Sequence, residues 1–461
     1  HRLHRKIPRM ERQGAGLVTP RVASVIRGVG LATGLLASTV SGGCTTLAVD
    51  TPTATQARID LVASKDAWLA TYATPAPVSE LIFMRQPDDS RTQDWEPAAG
   101  FEIIRTDKIE RLRRIDGQTF STAAVSVPAA YRDLPMDYAP FSPFGDGGML
   151  AYTGRFFACA RECPDDATFA LTLAATNQTI LADGARHKDK AAWIDTAEGR
   201  SVYVGETAPV DTSDFLAVID TALPDTIRTQ LAAQLPAFMH YFAGHMGALP
   251  ERPMLFASYD IRDQGGWGRQ GGTLTGQVFV HFYGAAWPQE MAKPGFVGDL
   301  AWHFAHEAGH LFQSQIYIGD DDASWIHEGG AEAFAAIAMR AQGQRAEADA
   351  HIAASARTCH EKLAGRSIRA ALTAGEYEVA YACGLQINLG LDAELRRVAP
   401  TSDGLFSVWG EYRARVADRS PTTEDFYAAI ARVGNPAIAA FVRESVNAPA
   451  TPPGASGNGQ W

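Results

Sequence analysis

The segment His306–His310, with the sequence HEAGH, constrains this chain more than any other. On a helix, residues i and i+4 lie on one face, so the imidazoles of His306 and His310 can reach a single cation. Glu307 follows the first imidazole and can lean over an open position on that cation, where it could take a proton from a bound water. The motif also arises by chance, and a histidine on a helix is more often a core or surface residue. A metal site therefore needs support from further ligands.

A catalytic zinc site needs a third protein ligand and leaves its fourth position to water. The best candidate is Glu328, in the segment Trp325–Ala331 with the sequence WIHEGGA. Seventeen residues separate His310 from Glu328, which is enough to finish one helix, turn and enter a second. We therefore predict that His306, His310 and Glu328 bind Zn²⁺ and that Glu307 is the general base.

The two motifs resemble those of the gluzincin metallopeptidases, especially the aminopeptidase-N and glycyl-aminopeptidase types. Their second motif reads W-L-N-E-G-F-A or close to it, and the resemblance covers roughly Leu216 to Leu391. It implies a zinc-dependent metallopeptidase that hydrolyses peptide bonds, with a peptide or protein as its substrate. In aminopeptidase-N relatives a tyrosine some fifty residues after the glutamate stabilises the oxyanion. Here Tyr381 stands 53 residues after Glu328 in the sequence YACG, with Tyr377 as its competitor.

Three further polar residues lie close to the motifs in sequence. Glu332 follows Glu328 by one helical turn and could accept a hydrogen bond from the second ring nitrogen of His306. The alternative is a carboxylate that faces solvent. His303 precedes His306 by three residues and could compete as a ligand, but we interpret it as a packing or substrate-side histidine. His327 also lies nearby.

The resemblance implies a strand before the metal helix that carries a G-x-M-E-N-like motif, whose glutamate binds the amino group of the substrate. The matching segment, Gly271–Gly276, has no acidic residue. Its residues Gly271, Gly272 and Thr273 could still bind a substrate by backbone pairing. We therefore expect N-acetylated peptides to be cleaved at least as well as free ones. The competing possibility is that an acidic residue of the β domain or of the Asp320–Asp322 turn supplies the anchor.

The pattern of the whole chain predicts an α+β protein with two domains. Short apolar segments separated by glycine and proline predict a β-rich N-terminal domain over residues 58–208. Helical periodicity then predicts a mainly helical catalytic domain over residues 209–446, and the resemblance implies that this domain is thermolysin-like. Two segments depart from the main pattern. Ile59–Tyr72 has a helical periodicity, and Gly265–Gly276 is typical of a glycine-rich loop.

Residues 1–44 are typical of a signal peptide, with an apolar run of thirteen residues at Gly28–Val40. The run ends at the sequence SGGC, in which small residues precede Cys44 as in a bacterial lipoprotein cleavage site. An ordinary signal peptide is the alternative, and both interpretations predict export to the periplasm or cell envelope. Residues 45–57 are typical of a linker, and residues 447–461 of a disordered tail.

Charge and cysteine content limit the possible partners. The net charge of −11 without a basic stripe argues against nucleic acid, and a lipid at Cys44 would be the one link to a membrane. Nothing in the sequence predicts the oligomeric state. If Cys44 carries a lipid, the other four cysteines can form the local pairs 159–163 and 359–383.

A second function class stays open at this point. The chain could be a catalytically degenerate, peptide-binding envelope lipoprotein on a metallopeptidase fold. The intact Glu307 speaks against this, because a protein that only binds peptides has no need of a general base.

Overall fold

The computed structural model describes residues 56–134, 137–213, 215–260, 266–313, 321–417 and 420–449. The predicted signal peptide with Cys44, the linker up to residue 55 and the tail from residue 450 lie outside these residues. Within the described ranges, no helix has both the length and the apolar character needed to cross a membrane.

Strands and helices are numbered separately in chain order. The described strands are β1 Arg58–Val62, β2 Ala67–Val78, β3 Glu80–Phe83, β4 Glu96–Pro97, β5 Phe101–Thr106, β6 Ile109–Arg114, β7 Phe120–Pro128, β8 Phe141–Pro143, β9 Met149–Tyr152, β10 Ala158–Cys159, β11 Thr168–Ala182, β12 Ala185–Thr196, β13 Ser201–Gly205, β14 Val210–Asp211, β15 Leu216–Ile219, β16 Met254–Asp260, β17 Gly268–Leu274 and β18 Gln277–Tyr283. The described helices are α1 Ser90–Asp94, α2 Asp225–Met246, α3 Trp287–Met291, α4 Phe296–Gln313, α5 Ser324–Ala341, α6 Arg345–Leu363, α7 Ile368–Thr373, α8 Glu378–Val398, α9 Leu405–Val416, α10 Thr423–Val433 and α11 Pro436–Asn447.

The strands from β1 to β13 form two sheets. One has the order β4-β7-β2-β1-β11-β13-β9-β8, with β12 paired to β11, and the other has the order β10-β3-β6-β5. The helical periodicity of Ile59–Tyr72 gave a wrong prediction, because this segment contains β1 and most of β2. Within each strand the buried side chains alternate, with Ile59 and Leu61 in β1 and Trp68 and Ala70 in β2. The two-residue period of a half-buried strand therefore describes the segment.

A third sheet supports the candidate site and has the order β14-β15-β16-β18-β17. Strands β15, β16 and β18 are parallel, whereas the edge strand β17 runs antiparallel to β18. The glycine-rich segment Gly265–Gly276 is therefore not a loop as predicted, because its residues 268–274 pair along the whole of β18. One face of the sheet packs against the helices through residues such as Val280, and the other packs against the β domain through residues such as Phe279.

Helices α4 and α5 follow this sheet and carry the two motifs. Helix α5 begins at Ser324, and the residue before it, Ala323, occupies the N-cap position without a side-chain hydrogen bond. Both predicted disulfides are confirmed, between Cys159 and Cys163 and between Cys359 of α6 and Cys383 of α8.

Candidate metal centre

The three residues predicted as zinc ligands converge on one point between α4 and α5. The Nε2 atoms of His306 and His310 lie 3.0 Å apart. Oε2 of Glu328 lies 3.5 Å from Nε2 of His306 and 3.4 Å from Nε2 of His310. Both histidines are buried, and Glu328 is partly buried. Ligand atoms about 2.0–2.2 Å from a tetrahedral zinc lie about 3.3–3.6 Å from one another. The two distances to Glu328 fall in this range, and the 3.0 Å between the imidazole nitrogens is slightly shorter.

The outer nitrogens of the two imidazoles determine where their protons lie. Nδ1 of His310 lies 2.7 Å from Oε1 of Gln313, an acceptor, and so donates its proton there. Nδ1 of His306 lies 2.9 Å from Oε1 of Glu332, a second acceptor. Each ring therefore turns its Nε2 towards the carboxylate of Glu328. Two imidazole nitrogens and one carboxylate oxygen that converge in this way are a donor set that a divalent cation stabilises.

The electrostatics of the ligands agree with this assignment. Burial raises the pKa of Glu328, but its contacts with His306 and His310 lower the pKa by more, so that it lies well below the ordinary value. Burial lowers the pKa of His306, whereas contacts with Glu328 and Glu332 raise it, and the raising effect prevails. The site thus surrounds its two imidazoles with ionised carboxylates, which favours a positive charge at their centre.

Glu332 is buried and contacts three side chains of other helices, one of which is His306. Its Oε2 accepts a hydrogen bond of 3.1 Å from Nε1 of Trp302 and lies 3.2 Å from Nε2 of His351 in α6. The ring of His351 stacks on Trp302 with centroids 3.6 Å apart. Burial raises the pKa of Glu332, but His306 and His351 lower it to about 2. The structure therefore brings Glu332 to His306 as a buried anion and not as a solvent-facing carboxylate.

Gln313 is a site residue that the sequence analysis missed. Besides accepting from His310, it donates from Nε2 to the backbone oxygen of His327 at 3.0 Å. A Cβ on Gly330 would lie 2.9 Å from that Nε2 atom, so the second glycine of the EGG sequence leaves room for the amide. The sequence did carry a signal for this contact, because residues three apart on a helix are neighbours and Gln313 follows His310 by three.

The carboxylate of Glu307 is oriented by the edge strand. Oγ1 of Thr273 donates a hydrogen bond of 2.6 Å to Oε2 of Glu307. Oε1 of Glu307 lies 3.7 Å from Nδ1 of His303, whose pKa is lowered to about 4 by burial. His303 thus lies beside Glu307, the predicted general base, and outside the group of three predicted ligands. Thr273, predicted to bind substrate, contacts Glu307 directly.

The two candidate tyrosines occupy different environments. The ring of Tyr381 in α8 stacks on His306, with centroids 5.9 Å apart and an interplanar angle of 23°. Tyr377 precedes α8 and is 40% exposed. The structure therefore places Tyr381 beside a ligand residue. His327, on the other side, stacks on the ring of His310 at 4.3 Å, and burial lowers its pKa to about 3.

Gly271 and Gly272 of β17 face opposite sides of the sheet. A Cβ on Gly271 would lie 3.2 Å from Nε2 of His303, on the side of α4. A Cβ on Gly272 would lie 2.4 Å from the hydroxyl of Tyr138, which belongs to the β domain. The charge of Glu307 contributes to the raised pKa of Tyr138, after burial as the main cause. Sequence patterns gave no sign that Tyr138 lies near Glu307.

The position of Tyr138 follows from buried charges in the β domain. Its neighbour Asp137 lies 3.2 Å from Nη1 of Arg85 and 3.3 Å from Nη1 of Arg155. On the sheet side, Oε1 of Gln270 accepts a hydrogen bond of 2.9 Å from the backbone N–H of Ala139. The segment around Tyr138 is thus attached to both domains.

The β domain also brings an acidic residue to the far end of β17. Thr275, which follows the strand, donates a hydrogen bond from its hydroxyl to the carboxylate of Glu198. The backbone oxygen of Glu198 accepts from the hydroxyl of Tyr152 at 2.6 Å and from Nη2 of Arg85 at 3.1 Å. An acidic group from the β domain, one of the two alternatives for an amino-group anchor, therefore lies at this edge.

The chain was compared with protein families, curated proteins and solved structures. No family model and no curated protein matches it. Among solved structures, an aminopeptidase N family protein from Idiomarina loihiensis has a TM-score of 0.59 at 11% identity, covering 86% of this chain and 76% of its own. A mutant M1 zinc metallopeptidase from Deinococcus radiodurans bound to a Tyr-Ser-Ala substrate has a TM-score of 0.50 at 14% identity, covering 86% and 94%. Native yeast LTA4 hydrolase has a TM-score of 0.50 at 10% identity, covering 88% and 71%.

At these identities the similarity shows the fold. The predicted order of a β-rich N-terminal part and a mainly helical C-terminal region is confirmed, as in the two-domain arrangement of M1 zinc metallopeptidases. The finer expectation of a thermolysin-like catalytic domain stays a prediction.

Proposed function

We propose that this protein is a zinc metallopeptidase in which His306, His310 and Glu328 hold the metal ion. The observation that supports this most directly is the convergence of two imidazole nitrogens and one carboxylate oxygen within 3.5 Å of each other. The chemistry of this donor set is that of a catalytic zinc site with three protein ligands. When bound, zinc supplies Lewis acidity that polarises a carbonyl and lowers the pKa of water.

Glu307 performs the proton transfers. Its Oε2 atom is occupied by the hydroxyl of Thr273. Oε1 is left to accept a proton from the attacking water and to pass it to the nitrogen of the leaving amine. Tyr381, beside His306, donates a hydrogen bond to the oxyanion that forms on the substrate carbonyl. One such donor contributes about 2.7–4 kcal/mol to the stabilisation of a transition state.

The substrate binds along the outer edge of β17. Among the described strands β17 pairs with β18 alone, so its other backbone edge is available to an extended peptide. Gly271 and Gly272 carry no side chains that would keep a second backbone away. The peptide then passes Glu307 and reaches Glu198 at the far end of the strand.

The position of Glu198 changes which substrates we expect, because it offers a partner for a free amino group. Segment Gly271–Gly276 alone predicts no preference for a free amino group, but the structure adds the carboxylate of Glu198 next to Thr275. We propose that this carboxylate binds the substrate ammonium, which favours an aminopeptidase over an endopeptidase. An ammonium without such a partner would lose solvation for no gain.

Metal analysis and a peptidase assay test the function together. We expect about one zinc per chain, lost in His306→Ala, His310→Ala and Glu328→Ala. Glu307→Gln should keep the zinc and lose hydrolysis, because an amide cannot accept the proton. Stoichiometric, tightly bound zinc in Glu328→Ala would refute the third ligand, and full activity of Glu307→Gln would require another base.

The same experiments address the degenerate, peptide-binding alternative. A wild-type protein that binds zinc and peptides but hydrolyses none would support it. Export and lipid attachment at Cys44 stay predictions. Labelling with palmitate should mark the wild type and spare Cys44→Ser, and equal labelling of both would exclude the lipoprotein.

A further inference from the structure

Strand β17 presents every second residue to helix α4. Thr273 contacts Glu307, and the Cα of Gly271 faces His303. Because side chains alternate along a strand, Arg269 lies on this same side. The register agrees, since Arg269 is paired with Phe282, which packs in the core on the helix side of the sheet. Arg269 therefore belongs to the wall between β17 and α4 that also holds the general base.

Arg269 is a cation without a full counter-charge. It is only partly exposed, and among the described residues no carboxylate lies within ion-pair distance of it and no acceptor within hydrogen-bonding distance. Burial lowers the pKa of Arg269, and the nearby charges of Asp299 and Glu307 offset only part of this effect. A desolvated guanidinium that is left unpaired costs free energy, which a bound anion would recover.

The open edge of β17 therefore has opposite charges at its two ends. Glu198 contacts Thr275 just after the strand, and Arg269 stands at its beginning. Positions 269 and 275 are six residue steps apart, which corresponds to about 20 Å of extended chain. A short peptide with free termini has the same separation of opposite charges, with an ammonium at one end and a carboxylate at the other.

We propose that Arg269 binds the C-terminal carboxylate of a short peptide and that this strand edge thereby selects oligopeptides with free termini. The inference rests on the proposed function, because it requires a peptide along β17. Arginine suits this task because its planar guanidinium forms two parallel hydrogen bonds with a carboxylate. Peptides of about four to six residues span the edge, and a protein substrate has no carboxylate to offer at that distance.

Peptide binding tests the inference without relying on turnover. Zinc-loaded Glu307→Gln protein is titrated by calorimetry with a pentapeptide that has a free C-terminus and with its C-terminal amide. We expect the acid to bind at least about tenfold more tightly than the amide, as one hydrogen-bonded charge pair provides. Adding Arg269→Gln should weaken binding of the acid to the level of the amide and leave the amide unchanged. Arg269→Lys should restore part of the difference, and Arg357→Gln, at an exposed position of α6, should change neither.

Each other outcome has a defined meaning. Equal binding of acid and amide, no binding of either, or an unchanged ratio in Arg269→Gln overturns the inference. An equal loss of both peptides in Arg269→Gln assigns the arginine a structural role and overturns it as well. Failure of the proposed function looks different, because the binding preference would persist while wild-type protein left the peptides intact.

Discussion

The candidate site depends on residues that orient the ligands as much as on the ligands. Glu332 and Gln313 each contact the outer nitrogen of one of the proposed zinc-binding imidazoles, at 2.9 and 2.7 Å. These contacts restrict the rotation of the rings and favour a proton on Nδ1, which leaves Nε2 to the metal ion. A ring without such a partner can rotate or change tautomer. Metal binding must then offset the entropy that is lost when the ring becomes ordered.

We therefore predict that Glu332→Gln and Gln313→Ala each weaken zinc binding by about 10–100-fold. The affinity is measured by competition with a chromophoric chelator at fixed pH. Glu361→Gln, an exposed change in α6, is the control and should bind zinc like the wild type. Unchanged affinity in both site variants would mean that the rings are oriented by packing alone.

A second residue-scale effect concerns a buried histidine in the sheet. Nδ1 of His281 lies 2.7 Å from Oγ of Ser258, and burial lowers its pKa from 6.5 to about 3. Between these values the unfolded chain binds more protons than the folded one, so stability falls as the pH falls. The full contribution is present above pH 6.5, and one such proton changes the unfolding free energy by at most about 1.4 kcal/mol per pH unit.

His281→Gln should therefore reduce the acid sensitivity of the protein. The variant keeps a hydrogen-bonding group for Ser258 but cannot titrate. In urea unfolding between pH 6 and pH 4, we expect its free energy of unfolding to depend on pH less steeply than that of the wild type, by about 1 kcal/mol per unit. His360→Gln, at an exposed position, should leave the slope as it is. Identical slopes for His281→Gln and the wild type would contradict a neutral His281.

At the scale of elements, two glycines set the distance between α5 and α8. A Cβ on Gly329 would lie 2.4 Å from Cα of Gly384, and a Cβ on Gly384 would lie 2.7 Å from Cα of Gly329. Glu328 immediately precedes the first glycine, and Tyr381 stands one turn before the second. The close approach of the two backbones thus brings a proposed ligand and the proposed oxyanion donor into one site.

Gly329→Ala and Gly384→Ala should each destabilise the protein by about 1–3 kcal/mol, because backbone atoms leave no space for the methyl group. Zinc affinity and peptidase activity should fall together with the stability of these variants, since α5 and α8 must move apart. Gly410→Ala in α9 is a matched control, because nothing lies within 4 Å of its Cβ position. That change should be neutral or stabilise by up to about 1 kcal/mol. Thermal unfolding that ranks the three variants equally would exclude this explanation.

At the scale of the whole molecule, the sequence predicted what local geometry determines. His306 and His310 share a face through their spacing of four, and Glu328 lies within reach on the following helix. The contacts that join distant segments had no such signal, and His351 on Glu332, Tyr138 over Gly272 and Glu198 at Thr275 were all missed. The edge strand was also misassigned, because its glycines favour a loop locally, whereas its pairing with β18 is stabilised by the packing of the whole sheet.

The interface between the two domains holds the residues to which we assign substrate specificity. Glu198 belongs to the β domain and Thr275 to the catalytic sheet, so the proposed amino-group anchor exists only in the assembled protein. Arg85 contacts both the backbone of Glu198 and the carboxylate of Asp137, next to Tyr138. The β domain therefore contributes side chains beside the candidate site and does more than cover the sheet.

N-acetylated substrates show whether the site binds the free amino group of a peptide. If Glu198 binds the substrate ammonium, N-acetylation of a short peptide should lower kcat/KM by at least about tenfold, the value of one charge-assisted hydrogen bond. Glu198→Gln should lower kcat/KM for the free peptide to a similar extent and leave the acetylated peptide unaffected, so that the two losses do not add. Glu206→Gln, an exposed change in the same domain, is the control. Acetylated peptides that are cleaved as well as free ones by the wild type would restore the expectation drawn from Gly271–Gly276, that the site accepts internal peptide bonds and has no anchor for an amino group.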